Sequence, residues 1–227
     1  MKCTYLGHSC FLLDIQGKQL LFDPFITQNP LAHHLDIASI QPDYVLISHA
    51  HGDHIADVEF FAKQSSCSLI ANFEIINHFA RKGMEGFAMN SGGSHHFPFG
   101  TVTMTHAYHS SSFPDGSYGG NPNGFLIETN EGCVFYSGDT SLSMDFSLIG
   151  ERYSIDLAVL PIGNVFTMDH IDAARATKML KANRMMGVHF DTFPPITINH
   201  DAVKTYMESE GISFILPEIG ETIQVNT

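Results

Sequence analysis

The 227-residue chain carries 11 Lys+Arg against 24 Asp+Glu, a formal charge of −13 with histidine neutral, and 44% apolar residues. That is enough apolar material for the core of one α/β unit, so residues 1–227 are read as a single domain. The acidic balance with scattered basic residues disfavours nucleic acid, and no apolar run approaches the roughly 18 residues of a membrane span, which leaves a small molecule as the expected partner.

Met1 to Ile15, interrupted by Gly7, His8, Ser9 and Asp14, is unlike a signal-peptide core. Cys3, Cys10, Cys67 and Cys133 form no C-x-x-C pair, so a reducing, cytoplasmic address is expected. The compositional anomaly is histidine: its 14 copies outnumber Lys and Arg together, pointing to metal or acid–base chemistry.

In chain order, Lys2–Leu6, Cys10–Ile15 and Gln19–Phe22 read as strands, with a Gly17-Lys18 turn and a stop at Asp23-Pro24. Phe25 to Ile40 is irregular. Tyr44–Ser48 is a short apolar strand, followed at once by His49–His54. Ile55–Gln64 has helical spacing, Ser68–Ala71 reads as a strand, and Glu74–Arg81 as a helix ending before Gly83. Short β runs follow at Phe87–Met89, Ser94–Phe97, Thr101–Ala107, Gly124–Thr129 and Cys133–Ser137. Between them, Ser110 to Asn123 is a Ser, Gly and Pro-rich loop, long enough to form a flexible pocket wall. It lacks the Gly-Lys-Ser/Thr ending of a phosphate loop. Asp156–Pro161, Met185–Val188, Ser213–Leu216 and Thr222–Val225 are strands, and Ile171–Ala182 and Asp201–Glu210 are helices. Two β-rich halves, each finished by βα units, imply an α/β fold of two sheets packed face to face with helices outside, a four-layer αββα sandwich.

The central motif is His49-Ala50-His51-Gly52-Asp53-His54. Residues i and i+2 at a strand end project to one side, and a turn at Gly52 can swing Asp53 and His54 toward a neighbouring point, so one hexapeptide can serve two adjacent metals. A solvated His-rich loop is the bland alternative. Asp139, in Tyr136-Ser137-Gly138-Asp139-Thr140, follows an apolar run, where a carboxylate either bridges two cations or closes a turn. His109 and His189 each follow a strand, as metal ligands or as hydrogen-bonded structural histidines.

In that order these elements resemble the five-part metal signature of the metallo-β-lactamase superfamily. Gly7-His8-Ser9, Asp23-Pro24-Phe25, Ser91-Gly92-Gly93, His109-Ser110-Ser111, Leu160-Pro161-Ile162-Gly163 and Thr192-Phe193-Pro194 further resemble its compact UPF0173 metal-dependent hydrolase branch, related to the lactonase-like members. The resemblance covers nearly the whole chain and implies the same αββα fold. It also implies His49, His51 and His109 on one metal, Asp53, His54 and His189 on a second, and Asp139 between them. Such a donor set suits two divalent ions, Zn²⁺ first by ligand type, with Mn²⁺, Fe or Ni²⁺ also compatible. A hydroxide shared by the ions would then hydrolyse a small-molecule ester, lactone, phosphoester or amide, with Asp53 and Asp139 as the catalytic carboxylates. Assembly into a homo-oligomer is a further expectation from related compact members.

His8, Asn164 and Thr192 are the substrate-pocket candidates, although His8 equally fits a supporting hydrogen bond behind a ligand. Asp23 is either an acceptor for a ligating histidine's second nitrogen or a turn residue before Pro24. The chain departs from the branch at Asn164, where a second glycine is usual, at Asp169-His170 in place of Gly-Pro, and at Met144-Asp145-Phe146. His170 reads as a solvent-exposed helix start, and His33-His34 and His95-His96 as surface pairs. Alternatives to the small-molecule hydrolase are a phosphodiesterase or nuclease of the same fold and a non-catalytic metal-binding module.

Overall fold

In the computed structural model, which describes residues 1–182 and 184–226, the first half opens as an antiparallel meander of β1 (Lys2–Gly7), β2 (Cys10–Ile15) and β3 (Lys18–Phe22). The hairpin between β2 and β3 turns on Gln16-Gly17, one residue earlier than the sequence suggests. Both residues have positive φ, so the tight turn matches the twist of its strands. The chain then builds parallel strands outward: β4 (Tyr44–Leu46), β5 (Ser68–Asn72) and β6 (Gly86–Met89).

The helix expected over Ile55–Gln64 is broken into a single turn, α1 (Gly52–Ile55), and α2 (Val58–Ser65). At the break, the buried Asp57 carboxylate turns away to accept hydrogen bonds from Ile26 N (2.6 Å), Thr27 N (3.0 Å) and the Thr27 hydroxyl. That anchors the irregular segment after β3. Helix α3 (Phe73–Ala80) is capped by Asn72, whose side chain accepts from Ile75 N.

The second half repeats the plan. Strands β7 (Ser94–Phe97), β8 (Gly100–His106), β9 (Asn123–Thr129) and β10 (Gly132–Tyr136) are antiparallel. Helix α4 (Asp145–Arg152), strand β11 (Leu157–Pro161), helix α5 (His170–Met179), strand β12 (Arg184–Val188), helix α6 (His200–Ser209) and strand β13 (Ser213–Ile215) continue it with parallel pairing. Helix α4 has no counterpart in the sequence reading: it starts after Met144, which offers no capping side chain, so no helix-start signal marks it. Strand β14 (Thr222–Gln224) leaves its own half and pairs antiparallel with β1, Cys3 opposite Ile223. The sheets therefore run β14-β1-β2-β3-β4-β5-β6 and β13-β12-β11-β10-β9-β8-β7.

Alternation along the strands sorts the layers. Leu20, Phe22, Leu46 and Ile70 join the core shared with Val102, Met104, Phe125 and Tyr136 of the second sheet. Their neighbours Leu21, Val45, Leu69 and Ala71 face outward onto Val58 and Phe61 of α2 and Ile75 and Phe79 of α3. The αββα sandwich expected from the sequence is thus formed. Across its middle, Phe22 stacks on Phe11 at 4.4 Å and meets Tyr136 and Phe125 edge-on at 5.9 and 6.1 Å.

The chain leaves β3, β4, β8, β10 and β12 into loops that carry Asp23, His49–His54, His109, Asp139 and His189. Removing the ring that locks the sheets together should cost stability without touching those loops. Phe22→Ala is expected to lower the unfolding free energy by about 3–5 kcal/mol in urea titrations followed by far-UV circular dichroism.

Candidate metal centre

The site is assembled on Asp23, which is fully buried at the end of β3 with a positive φ. Its oxygens accept from Ser48 N (2.7 Å), the Ser48 hydroxyl, Tyr136 Oη (2.6 Å) and His54 Nδ1 (2.8 Å). Four donors fully occupy a carboxylate that water cannot reach, so Asp23 serves as a support and not as a ligand. Neither Ser48 nor Tyr136 was singled out from the sequence; adjacency to the two motifs is the only signal either carries.

These bonds fix the histidine tautomers. The Ser48 hydroxyl donates to Asp23, so it accepts from His49 Nδ1 at 2.9 Å and leaves His49 Nε2 with a bare lone pair. His54 spends its Nδ1 proton on Asp23 in the same way. Both Nε2 atoms turn toward the carboxylate of Asp139, whose Oδ2 lies 3.9 Å from His49, 3.3 Å from His54, 3.8 Å from His109 and 3.0 Å from His189. Gly138 permits this approach: its φ is +62°, and a Cβ there would stand 2.5 Å from the carbonyl of Asn123.

Two donor groups flank Asp139. His49, His51 and His109 converge on one side, with His49 Nε2 and His51 Nδ1 only 2.9 Å apart. On the other side are His8, Asp53, His54 and His189, with ligand atoms within 4.8 Å of one another and Asp53 Oδ2 3.8 and 3.9 Å from the Nε2 atoms of His54 and His189. His54 Nε2 and Asp139 Oδ1 are buried without a hydrogen-bond partner. Lone pairs facing lone pairs in a buried pocket need a cation between them, and ligand atoms on one tetrahedral Zn²⁺ stand about 3.3 Å apart, so the residues fit divalent metal. The open side is formed by Asp53, His51 and His109, none of which is fully buried.

The three pocket candidates fall at two separate recesses. His8 is buried, with Nε2 3.0 Å from Asp53 Oδ2 and Nδ1 2.9 Å from Thr192 Oγ1, so both ring nitrogens are engaged inside the protein. Thr192 is buried with it. Both line a cleft of about 420 Å³ with Tyr5, Leu31, His34 and Phe190, separate from the cleft beside Gly52 and Phe113. Asn164 is exposed on the loop after β11 at φ +64°, a left-handed position that asparagine tolerates better than most residues. Its neighbours on a shallow groove include Asp169 and His170, the latter half-buried with its ring edge-on to Tyr206.

The Ser110–Asn123 loop lies against the hexapeptide and is pinned there. Ser111 Oγ accepts from Ala50 N, Asn72 Nδ2 donates to the carbonyls of Gly119 and Asn121, and Asn123 N donates to the Ser48 carbonyl. Beside it, a cleft of about 540 Å³ opens between Gly52, Ile55, Glu59, His78, Phe113 and Pro114. His33, His34, His95 and His96 are exposed, as the sequence suggests.

Comparison with known proteins agrees with this picture. Residues 2–189 match the model of the Beta-lactamase superfamily domain. A UPF0173 metal-dependent hydrolase of Flavobacterium johnsoniae is 46% identical over 226 residues, covering 99% of this chain and all of the relative. Another, from Methylacidiphilum infernorum, is 46% identical over 224 residues and covers 98% of this chain and 99% of the relative. Among solved structures, Igni18, a metallo hydrolase of the archaeon Ignicoccus hospitalis, superposes with a TM-score of 0.89 at 34% identity over 98% of this chain and 97% of its own. The chain belongs to the UPF0173 branch of the metallo-β-lactamase superfamily.

Burial and charge divide the histidines when no ion is present. Burial lowers His8 to about 4, with the nearby His189 adding to the effect, and it holds His49 well below the usual range. His54 is buried too, yet the charges of Asp139, Asp53 and Asp23 carry it well above. Asp139 and Asp53 are held below the usual carboxylate range, because neighbouring imidazoles outweigh the opposing effect of burial. Between pH 6.5 and 5 the unfolded chain takes up protons that folded His8 and His49 refuse, so stability falls as pH falls. His54 adds no slope there, since it is protonated in the fold throughout, and the carboxylates matter only lower. Metal-stripped protein is therefore expected to lose on the order of 1 kcal/mol per pH unit for each such histidine across this window, measured as urea midpoints from pH 7 to 5.

Proposed function

We propose that this superfamily member is a metal-dependent hydrolase that holds two divalent ions and acts on a small-molecule ester, lactone, phosphoester or amide. The observation that carries the reading is Asp139 Oδ2 set among four imidazole nitrogens at 3.0 to 3.9 Å, with the lone pair of His54 aimed at it. The name shared by the full-length relatives supports the same reaction class.

His49, His51 and His109 hold one ion, Asp53, His54 and His189 the other, and Asp139 reaches both. Nitrogen and carboxylate donors without thiolate favour Zn²⁺, with Mn²⁺, Fe and Ni²⁺ as lesser fits. Bound divalent metal supplies a water of lowered pKa and a Lewis acid for the substrate's oxygen.

The chain's own residues organise the rest. Asp53, on the open side, orients the attacking water, receives its proton and returns it to the leaving group. His51 and His109 border the face from which substrate approaches. Asp23, Ser48 and Tyr136 keep His49 and His54 in the tautomers that present Nε2 inward. Four buried, free cysteines suit a reducing cytoplasm, and among the described residues no helix is long and apolar enough to cross a membrane. One domain over residues 1–227 completes the proposal.

The test is metal content by plasma mass spectrometry on protein purified without chelator, paired with chromogenic lactones, esters, thioesters and phosphodiesters. About two ions per chain are expected, and Asp139→Ala should lower turnover on the best substrate by at least about 100-fold while leaving the circular dichroism unchanged. Protein that retains no transition metal, with turnover absent and not restored by added metal, would replace the enzyme with a non-catalytic module.

A further inference from the structure

We propose that His8 and Thr192 form a hydrogen-bonded relay that positions Asp53 and so sets the affinity for the ion held by Asp53, His54 and His189; this rests on the metal-dependent reading above.

Asp53 is held only partly by its own backbone element. It sits on α1, a helix of one turn, with its side chain 26% exposed, and could swing into water. Among the described residues, His8 is the only side chain that makes a hydrogen bond to it, Nε2 to Oδ2 at 3.0 Å. The carboxylate is acceptor only, so His8 Nε2 must carry the proton, and Nδ1 is left as a lone pair. Thr192 Oγ1, 2.9 Å away, is then the donor to Nδ1. The competing acceptor, the Phe190 carbonyl, lies farther from that hydroxyl at 3.2 Å and already receives Thr192 N at 2.8 Å. Proton direction is thereby fixed along the row, from Thr192 to His8 to Asp53.

The middle of the relay is held rigidly. Gly7 and His8 make a left-handed turn between β1 and β2, and a Cβ on Gly7 would stand 2.7 Å from Asn29 Nδ2. The His8 carbonyl accepts from His189 N at 2.9 Å and from Tyr5 Oη at 3.1 Å. The ring is enclosed by Phe25, Phe193, His54 and His189, at centroid distances of 4.2 to 5.6 Å. With both ring nitrogens committed inside the protein, His8 orients Asp53. Three separate segments therefore meet at one carboxylate: the β1–β2 turn, α1 and the loop after β12.

The experiment titrates metal-stripped protein with Zn²⁺ against a chromophoric chelator to obtain two stepwise affinities, with Asp53→Ala and His109→Ala marking which step belongs to which donor group. Co²⁺ absorption spectra and the kcat and KM of the best substrate accompany it. His8→Ala should weaken the Asp53 step about 10–100-fold and leave the His109 step within about threefold. His8→Gln, whose amide still donates, should recover most of that loss. Thr192→Val should weaken the same step by several-fold, and Thr192→Ser, which keeps the hydroxyl, should restore it. The relay is overturned if His8→Ala weakens both steps alike or neither, or if His8→Gln is as damaged as His8→Ala. Should His8→Ala fail to fold, the Thr192→Val and Thr192→Ser pair decides alone, and equal behaviour of the two rejects the relay. A parent that binds no Zn²⁺ sinks the hydrolase reading itself, whereas a parent that binds two ions beside indifferent variants sinks only the relay.

Discussion

A polar group without access to water is tolerated only where hydrogen-bond partners replace the solvent, and the Asp23 carboxyl has four donors from three parts of the chain. Ser48 brings the end of β4, His54 brings α1, and Tyr136 brings the last residue of β10 in the opposite sheet. The two sheets are therefore joined at this edge by a polar knot as well as by the aromatic contacts of Phe22. Because His54 Nδ1 is committed to Asp23 and His49 Nδ1 to Ser48, the Nε2 atoms of both rings face Asp139, so the metal-facing geometry follows from satisfying one buried carboxyl group.

Backbone strain is concentrated at the same place. His8, Asp23 and His189 all have φ between 41° and 56°, a region that costs non-glycine residues about 1–3 kcal/mol each. Each sits directly after a strand, where the chain must reverse sharply for the side chain to return over the sheet edge. The hydrogen bond from His189 N to the His8 carbonyl couples two of these turns across the sandwich. Cavities or overpacking in the shared core would be felt at the metal-facing loops through these couplings, since a close-packed interior transmits displacement.

Charge is handled locally. The chain is strongly acidic overall, yet the floor of the site balances three carboxylates, Asp23, Asp53 and Asp139, against imidazoles. His54 carries the proton in the absence of metal because three carboxylates face it, while His49 and His8, more burdened by burial, stay neutral. A proton and a divalent ion compete for the same place, and this couples metal loading to pH.

Much was legible in the residues themselves. Short apolar runs such as Leu20–Phe22 and Tyr44–Leu46, with helical spacing between strands, were enough for two sheets and outer helices, because burial on both faces leaves an apolar run and burial on one face leaves a stripe. The His49–His54 hexapeptide stood out from its composition alone, whereas Asp139, His109 and His189 joined it as ligands only through the resemblance to the superfamily's metal signature. Tertiary structure decided what local pattern cannot carry: the break at Asp57, which depends on backbone donors 30 residues earlier; β14, whose partner lies at the other end of the chain; and α4, whose start no capping side chain marks. It also joined His8 to Thr192, 184 residues apart in sequence and 2.9 Å apart in space, and set the same ring against Asp53. The residue types set which atoms can bind a cation or share a proton. Which of them face one another is a matter of long-range packing, which no stretch of sequence encodes alone.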